Sequence, residues 1–509
     1  MNQRSKNVTR TSHLTITIIA SFTPIKVRVG LFQSQLQRRY LNLSTYLSRG
    51  VHRDSPVKRP ATRYPSPYTA QCKSIQIREM RIATLQIASR LGDLEGNIKR
   101  ADELLKNTRV AGPTSESDLD DARSVRLEDA KLDILVLPEL ALTGYNFPSL
   151  DSIKPYLEEA GKGACAAWAR ETAKRLKCKV CIGYPEVEIQ QQQDQNQHFI
   201  ASDGQPQEQQ QGTTEIEKYY NSLLVVNENG ETLLNYRKTF LYYTDETWAS
   251  EGSAELGFHQ LTFPTQDQNT PSNSDSQARA QGEAAILPPL PPSAATTTAN
   301  QEIATSFGIC MDINPYRFTA PYSAYEFANR VLDSKSQLVI LSMAWLTLLS
   351  KEELDALKGK PEMDTFNYWI QRFMPLLREK LRNTTNIDDT SGEGEGRQDK
   401  RIILVFANRA GEEPGSEAEP EKSARYAGTS SVIAITQKPV SPPSMSTSVS
   451  NNGNGGGALS DDEADGEPQS DIDVSIQCWG IMGAATEGVC FADTVAAPEM
   501  MFRLVRPRG

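Results

Sequence analysis

The sequence contains few histidines and cysteines and no long hydrophobic run. Its 509 residues include no stretch of about 18 apolar residues, so no transmembrane helix is expected. The four histidines are His13, His52, His198 and His259; only the last is near patterned chain, which disfavours a Cys–His dyad or a histidine-rich metal site. Seven cysteines, a sparse and odd number, do not fit a secreted disulfide framework and indicate a reducing compartment.

Common cofactor motifs are missing as well. The chain has neither G-x-x-x-x-G-K-[ST] nor G-x-G-x-x-G, so nothing favours nucleotide binding. Cys178 and Cys181 have the spacing of half a zinc site, but no second pair matches them. They lie in the strand pattern KCKVCIGYP, and we interpret them as core residues. The sequence therefore predicts no metal site.

Charge is distributed unevenly along the chain. Residues 1–78 contain 14 Lys and Arg but a single acid, Asp54, whereas the whole chain has a net charge of −10. The acidic remainder disfavours nucleic acid or a membrane as a partner, because either polyanion would repel it. The basic leader, residues 1–79, resembles a mitochondrial presequence. Two alternatives remain open: the leader is an extension with no targeting role, or some of the protein begins at Met80 and is cytosolic. We therefore predict a cytoplasmic or mitochondrial location.

Five polar segments interrupt the remaining chain. They are rich in Gln, Ser, Gly, Pro or acidic residues, and such compositions cannot bury enough apolar surface to offset their ordering entropy. We predict disordered inserts at residues 189–213, 265–300, 387–399, 414–424 and 437–471. Residues 80–509 are then one domain with insertions rather than several domains.

Apolar strand patterns alternate with helical patterns between these inserts. Strands are predicted at Asp133–Pro138, Ile303–Ile309 and Ile402–Ala407, and helices at Leu94–Lys106 and Asp364–Leu381. Fully apolar strands that alternate with helices are typical of an α/β layered fold, in which helices cover buried sheets.

Three reactive residue types follow predicted strands. Glu139 comes after the apolar run LVLP, where burial would raise its pKa and suit it to general-base work. Lys238 ends the hairpin that turns at Asn229-Gly230. Cys310 ends the strand Ile303–Ile309, where nearby backbone N–H groups would lower the thiol pKa. Taken singly, each has a plainer explanation: a solvated acid, a solvated base or an inert buried thiol.

Together these segments resemble the nitrilase, or carbon–nitrogen hydrolase, superfamily. The matching motifs are MRIATLQIASRLGDLEGNIKRADELL, LPELALTGY, YYNSLLVVNENGETLLNYRKTFLY, SFGICMDINPYRF, and FANRAGEE followed by YAGTSSVIA. They occur in the family's order between Met80 and about Met482. The resemblance implies a single-domain, four-layer αββα sandwich with the catalytic triad Glu139, Lys238 and Cys310. The backbone N–H of Met311 would assist Lys238 at the oxyanion, and no cofactor would be needed.

The sequence around Lys238 and Cys310 is most similar to one branch of this family. Enzymes of that branch deamidate N-terminal Asn and Gln of proteins and feed the N-degron pathway. A substrate with a free α-ammonium would call for carboxylates in its site. The candidates are Asp245, Glu246, Asp312 and Glu326, with Glu246 alternatively holding Lys238 in place; Tyr243, Trp248 and Trp345 are candidate pocket walls. The sequence does not choose among them.

Two other functions remain open at this stage. One is an amidase of the same family that acts on a small ω-amide or carbamoyl compound. The other is an inactive scaffold that binds partners through its polar inserts, which the intact triad disfavours. Monomer and dimer are both compatible with the sequence, and the preference for Asn over Gln is not readable from it.

Overall fold

The computed structural model describes residues 78–112, 124–193, 213–264, 300–378, 400–439 and 472–503. The leader lies outside this range except for its last two residues, so its targeting role stays a prediction. Within the described residues, no helix is long and apolar enough to cross a membrane.

Eighteen strands are present in the described chain. They are β1 Arg81–Gln86, β2 Arg109–Ala111, β3 Ser124–Arg126, β4 Ile134–Val136, β5 Glu158–Glu159, β6 Lys179–Gln193, β7 Thr213–Val226, β8 Thr232–Arg237, β9 Phe258–Pro264, β10 Asn300–Ile309, β11 Leu338–Met343, β12 Lys400–Asn408, β13 Glu412–Glu413, β14 Ala424–Arg425, β15 Ser431–Pro439, β16 Ile472–Ile481, β17 Gly488–Asp493 and β18 Met500–Arg503.

Seven α-helices of the described residues accompany them. They are α1 Leu94–Asn107, α2 Leu150–Ile153, α3 Ala164–Leu176, α4 Glu326–Asp333, α5 Lys351–Ala356, α6 Met363–Arg372 and α7 Met374–Arg378. The side chain of Asp93 caps α1 by accepting the N–H of Gly96. Ser350 and Glu353 form a reciprocal capping box that starts α5, a helix the sequence patterns did not predict.

Two seven-stranded sheets form the body of the molecule. The first has the order β17-β1-β4-β6-β7-β8, with β5 also paired to β6. The second has the order β18-β16-β15-β12-β11-β10-β9. In each sheet the central strands are parallel: β1, β4 and β6 in the first, and β10, β11 and β12 in the second. Parallel strands carry their C-terminal ends to one edge, which is where α/β folds place their chemistry.

Helices cover the outer faces of both sheets. The helices α1 and α3 pack their buried residues, including Leu105 and Trp168, on one face of the first sheet. The opposite face, with Ile134 and Val136, joins the second sheet in a large apolar core. On the far side of the second sheet, Trp369 of α6 stacks on Phe406 with ring centroids 5.1 Å apart. The layer order is αββα, so the predicted four-layer sandwich is confirmed.

Four of the predicted inserts differ from the structure, one of them over its whole length and three at their ends. Residues 189–193 extend β6 and pair with β7 from Gln193↔Thr213 onward. Residues 414–424 are ordered: they contain a 3₁₀ turn, Pro420–Lys422, and β14 begins at Ala424. Asn146 anchors this segment by donating from Nδ2 to the carbonyls of Pro414 and Lys422, both at 2.9 Å. Residues 300 and 437–439 also belong to strands, and the other parts of the predicted inserts lie outside the described residues.

Candidate active site

The C-terminal ends of the parallel strands converge between the two sheets. Glu139 follows β4, Cys310 follows β10, and Ala344 follows β11. Ser342 ties the sheets together there by donating its hydroxyl to the carbonyl of Leu137 at 3.0 Å. The structure therefore brings two of the three predicted catalytic residues to one edge.

Lys238 reaches the same place from β8. Its Nζ lies 2.5 Å from Glu139 Oε1 and 2.5 Å from Asp245 Oδ2, and all three side chains are fully buried. Its own N–H donates to the carbonyl of Asn221 on β7 at 2.8 Å, which fixes the residue at the strand end. The basic residue is thus a buried ion-pair centre rather than a solvated cation.

The residue that holds Lys238 is Asp245, so the suggestion that Glu246 does so is wrong. Both acids lie in the 3₁₀ turn Asp245–Thr247, which directs Asp245 inward and leaves Glu246 exposed. Asp245 also accepts the N–H of Tyr242 at 2.9 Å and the side-chain amide of Asn221 at 3.0 Å. Both carboxylate oxygens of Asp245 are thus engaged by protein donors, so the residue supports Lys238 from inside the fold.

Asp312 is a second acid whose role differs from the predicted one. It is buried, and its carboxylate accepts the backbone N–H groups of Thr239, Phe240 and Ile309, together with the hydroxyls of Thr239 and Tyr236, at 2.7–3.0 Å. These contacts join the loop after Lys238 to the turn that contains Cys310. Asp312 therefore holds together the loops that carry Lys238 and Cys310, and it is not among the residues that line the cleft beside Cys310.

Burial dominates the electrostatics of the triad. It raises the pKa of Glu139, and the neighbouring Asp245 adds to this, while Lys238 opposes it. Burial alone would lower the pKa of Lys238, but Asp245 and Glu139 outweigh it and keep the ammonium charged. The expected rise for Glu139 is confirmed in direction.

The expectation of a lowered thiol pKa is wrong for Cys310. Burial and the negative charge of Glu139 raise the pKa of Cys310 well above its ordinary value, although Lys238 and a hydrogen bond from the N–H of Ala344 act in the opposite direction. The resting residue is accordingly a thiol, which needs a base to become nucleophilic. Glu139, whose carboxylate accepts the same Ala344 N–H at 2.8 Å, is the neighbouring base.

Cys310 itself occupies a strained turn. Its φ is +41°, a left-handed conformation that non-glycine residues seldom adopt, and it opens the 3₁₀ turn Cys310–Ile313. The sharp change of direction between β10 and this turn places the side chain on a cleft. Met311, whose backbone N–H was the predicted oxyanion donor, lines the same cleft.

The cleft above Cys310 is narrow, and four aromatic residues are part of its walls. Its lining consists of Tyr145, Tyr242, Cys310, Met311, Asn314, Phe318, Ala344, Trp345 and Leu346. Of the candidate substrate-binding residues, Trp345 lines the cleft directly. Tyr243 lies behind it, 5.1 Å from the ring of Tyr242 and 6.2 Å from that of Phe318.

The other candidates do not line this cleft. Glu326 accepts the N–H of Tyr316 at 3.2 Å and lies 3.8 Å from Arg372. Trp248 packs behind the cleft wall, in an apolar cluster that includes Tyr145 and Ala344. None of the acids Asp245, Glu246, Asp312 and Glu326 is among the lining residues. In the described part of the chain, no group of three or more His, Cys, Asp and Glu residues is arranged to hold a metal ion.

Sequence reasoning missed several residues that support the site. Asn221 donates to both Glu139 and Asp245. Arg409 donates to the carbonyl of Leu140 at 2.8 Å and forms a buried ion pair with Glu413, which in turn accepts the N–H groups of Tyr145 and Asn146. Arg409 and Glu413 are part of the motif FANRAGEE, so the signal was present, but the motif did not show what they hold.

Glycine is required where β6 passes the catalytic acid. A Cβ on Gly183 would lie 2.7 Å from Glu139 Cα and 2.8 Å from the N atom of Leu140. Both contacts are with backbone, which cannot rotate away as a side chain would. The backbone that carries Glu139 is therefore packed directly against the neighbouring strand.

The raised pKa of Glu139 leads to a pH prediction. Lowering the pH protonates this residue and removes the base, so we expect the acidic half-point of the kcat/KM profile to lie above pH 4.5, the ordinary value for glutamate. Steady-state rates measured from pH 4 to 8 would check this, with circular dichroism at each pH to confirm folding. A half-point at or below 4.5 would contradict the assignment of Glu139 as the base.

Residues 81–258 match the sequence model of the carbon–nitrogen hydrolases, a segment that includes Glu139 and Lys238. This segment is similar to that family, and the αββα sandwich with Glu139, Lys238 and Cys310 brought to one edge is the arrangement that the resemblance implies.

Two curated relatives are fungal. The protein N-terminal amidase of Saccharomyces cerevisiae is 27% identical over 360 residues, which cover 60% of this chain and 65% of the relative, so the chain spans just under two thirds of that protein's length. The protein N-terminal amidase of Schizosaccharomyces pombe is 28% identical over 371 residues, covering 70% of this chain and 92% of the relative. A crystal structure of an N-terminal amidase with an Asn-Glu-Ala peptide is 22% identical, with a TM-score of 0.48, over 84% of this chain and 99% of that one.

Proposed function

We propose that this protein hydrolyses the side-chain amide of an N-terminal Asn or Gln in proteins and peptides, and releases ammonia. The observation that carries the proposal is a buried Glu139–Lys238 pair next to a thiol that opens on a narrow cleft. The curated relatives named protein N-terminal amidases support the choice of amide. Small ω-amides are the alternative class of substrate.

The same three residues serve both half-reactions, and Glu139 acts in turn as base and acid. Glu139 takes the proton of the Cys310 thiol as the sulfur attacks the amide carbon. Lys238 and the N–H of Met311 stabilise the tetrahedral oxyanion, each donor contributing about 3–4 kcal/mol to lowering the barrier. The C–N bond breaks, Glu139 returns the proton to the leaving ammonia, and a thioester remains. Water, deprotonated by Glu139, then attacks the thioester and restores the thiol.

Aromatic rings replace the expected carboxylates as the binding site for the substrate's α-ammonium. The cleft lining includes no Asp or Glu among the described residues, whereas Tyr145, Tyr242, Phe318 and Trp345 present ring faces or edges to it. A desolvated cation over such a face gains about 2 kcal/mol. The proposal therefore assigns amine recognition to these walls rather than to Asp312 or Glu326.

The product of this reaction is an acidic N-terminus. As the family resemblance implies, we propose that the deamidated proteins enter the N-degron pathway, in which acidic N-termini are marked for degradation. The basic leader favours action in mitochondria or the cytoplasm; both locations follow from composition alone. Fractionation of cells that express the full chain and a form starting at Met80 would separate the two.

Ammonia release from matched peptides tests the proposal. We expect turnover of Asn- and Gln-initiated peptides and none of the same peptide beginning with Asp. Acetylation of the N-terminus removes the cation and should lower kcat/KM by at least about tenfold, because the cation–π contribution is lost.

Small amides complete the assay. Release from free glutamine-like acids without release from Asn peptides would overturn the proposal in favour of a small-amide hydrolase. No release from any substrate would favour the scaffold. Equal turnover of free and acetylated peptides would contradict the assignment of the aromatic walls.

A further inference from the structure

Asn221 lies between the two buried carboxylates of the site. Its Nδ2 donates to Glu139 Oε1 at 2.7 Å and to Asp245 Oδ1 at 3.0 Å, and the residue is fully buried on β7. Its Oδ1 has no donor among the described residues. The orientation of the amide is dictated by its neighbours, since the reverse orientation would set its oxygen against two carboxylates.

The four carboxylate oxygens differ in the hydrogen-bond donors that contact them. Asp245 Oδ1 accepts from Asn221, and Oδ2 accepts from Lys238 and the N–H of Tyr242. Glu139 Oε1 accepts from both Lys238 and Asn221. Glu139 Oε2 has the N–H of Ala344 as its donor. Of the four, Oε2 is the oxygen with capacity to receive a proton and a place beside the cleft.

Two further observations place Oε2 next to the nucleophile. The N–H of Ala344 hydrogen-bonds Oε2 and also acts on the thiol of Cys310. Ala344 and Cys310 both line the cleft, whereas Asn221 and Asp245 do not. Oε1 is engaged with Lys238 and Asn221, so Oε2 is the oxygen of Glu139 that shares a backbone donor with the thiol and is the expected acceptor of its proton.

The charge count explains why such a residue is needed. Two carboxylates share one ammonium in a fully buried cluster, so the cluster carries one net negative charge. At short range in a low-dielectric site, like charges of this kind usually resolve by one acid keeping a proton. A protonated Glu139 would have no capacity to activate the thiol. Hydrogen bonds to a charged group are the stronger kind and oppose this outcome.

We propose that Asn221 is a positioning residue of the triad: its two N–H groups bridge Glu139 and Asp245, keep Glu139 ionised, and leave Oε2 of Glu139 as the proton acceptor for Cys310. The inference rests on the triad and not on the identity of the amide. It therefore holds or fails separately from the proposed substrate.

Alkylation of Cys310 by iodoacetamide, followed by mass spectrometry across pH, tests the role without an amide substrate. In Asn221→Leu the ionised form of Glu139 loses a donor, so the acidic half-point of the alkylation rate should rise by about one pH unit or more. A structural role alone would reduce the amount of reactive protein without moving this half-point. Cys310→Ser supplies the background from other thiols.

Asn235→Leu is the matched control. Asn235 lies on the adjacent strand β8 and donates to Glu186, a buried glutamate outside the triad, at 2.8 Å. Its variant should leave the half-point unchanged. If Asn221→Leu does not fold, Asn221→Ser answers the question, because its one hydroxyl reaches one carboxylate and a smaller upward shift is expected. An unchanged half-point in the Asn221 variants, or an equal shift in Asn235→Leu, would overturn the proposal.

Discussion

Replacing Cys310 by serine is expected to lower kcat for ammonia release by about 10⁴-fold or more while the fold persists. A hydroxyl is a far weaker acid than a thiol, and Glu139 cannot deprotonate it at the resting geometry. The change is nearly isosteric at a residue that is 8% exposed, so the free energy of unfolding should change little. Steady-state kinetics and denaturant unfolding measure the two effects.

The control for this variant is another buried cysteine. Cys165 lies in α3 beneath the first sheet, and its pKa is raised well above the ordinary value by burial. Cys165→Ala should retain most of the wild-type kcat, with any loss confined to stability. Full activity in Cys310→Ser would show that the nucleophile has been assigned to the wrong residue.

Replacing Lys238 by methionine is expected to have the largest effect on stability. The change removes the cation from between two fully buried carboxylates, and breaking a buried ion pair in this way costs about 3–5 kcal/mol. It also removes an oxyanion donor, so kcat should fall by about 10²–10³-fold or more. Urea unfolding and ammonia release report the two consequences.

The stability loss in Lys238→Met should depend on pH. Without the ammonium, one of the two carboxylates has a folded-state pKa above its unfolded value, because ionising both would bury two unpaired negative charges. Such a group stabilises the fold most at low pH, and this contribution is lost as the pH rises through the folded pKa. The deficit relative to the wild type should therefore be larger at pH 8 than at pH 5.

Lys179→Met provides the comparison for this variant. The side chain of Lys179 is also buried, but its partner Glu228 is 40% exposed and can be solvated when the lysine is lost. Little pH dependence and unchanged kcat are expected. Equal stability of Lys238→Met and wild type at both pH values would contradict the buried ion-pair cluster.

The positions of Glu139, Lys238 and Cys310 were predictable because each of them ends a recognisable strand. An apolar run precedes Glu139 and another precedes Cys310, and an Asn-Gly turn precedes Lys238. These local patterns can be read from the sequence without knowing how the strands pack. The partner of Lys238 was not predictable in this way. Asp245 and Glu246 are adjacent acids, and the choice depends on the rotational phase of a three-residue 3₁₀ turn.

Composition also failed where hydrogen bonds replace hydrophobic burial. The segment 414–424 has the polar composition of a disordered insert, yet its carbonyls are held by Asn146 from a distant loop. The strand β17, which the sequence patterns did not predict, pairs with β1 from Arg81↔Asp493 to Gln86↔Gly488. Both depend on partners more than 260 residues away, which no local pattern contains.

The close packing of Gly183 against Glu139 divides the site into a fixed floor and an adjustable wall. Backbone atoms of two strands meet at the floor, where even a methyl group has no space. Tyr242 and Phe318, by contrast, extend from loops outside either sheet, and Phe318 has a φ of +52° in a non-regular turn. Under the proposed function, a change of substrate scope then calls for substitutions such as those at Tyr242 and Phe318, only four and eight residues after Lys238 and Cys310, while the floor beneath them stays the same.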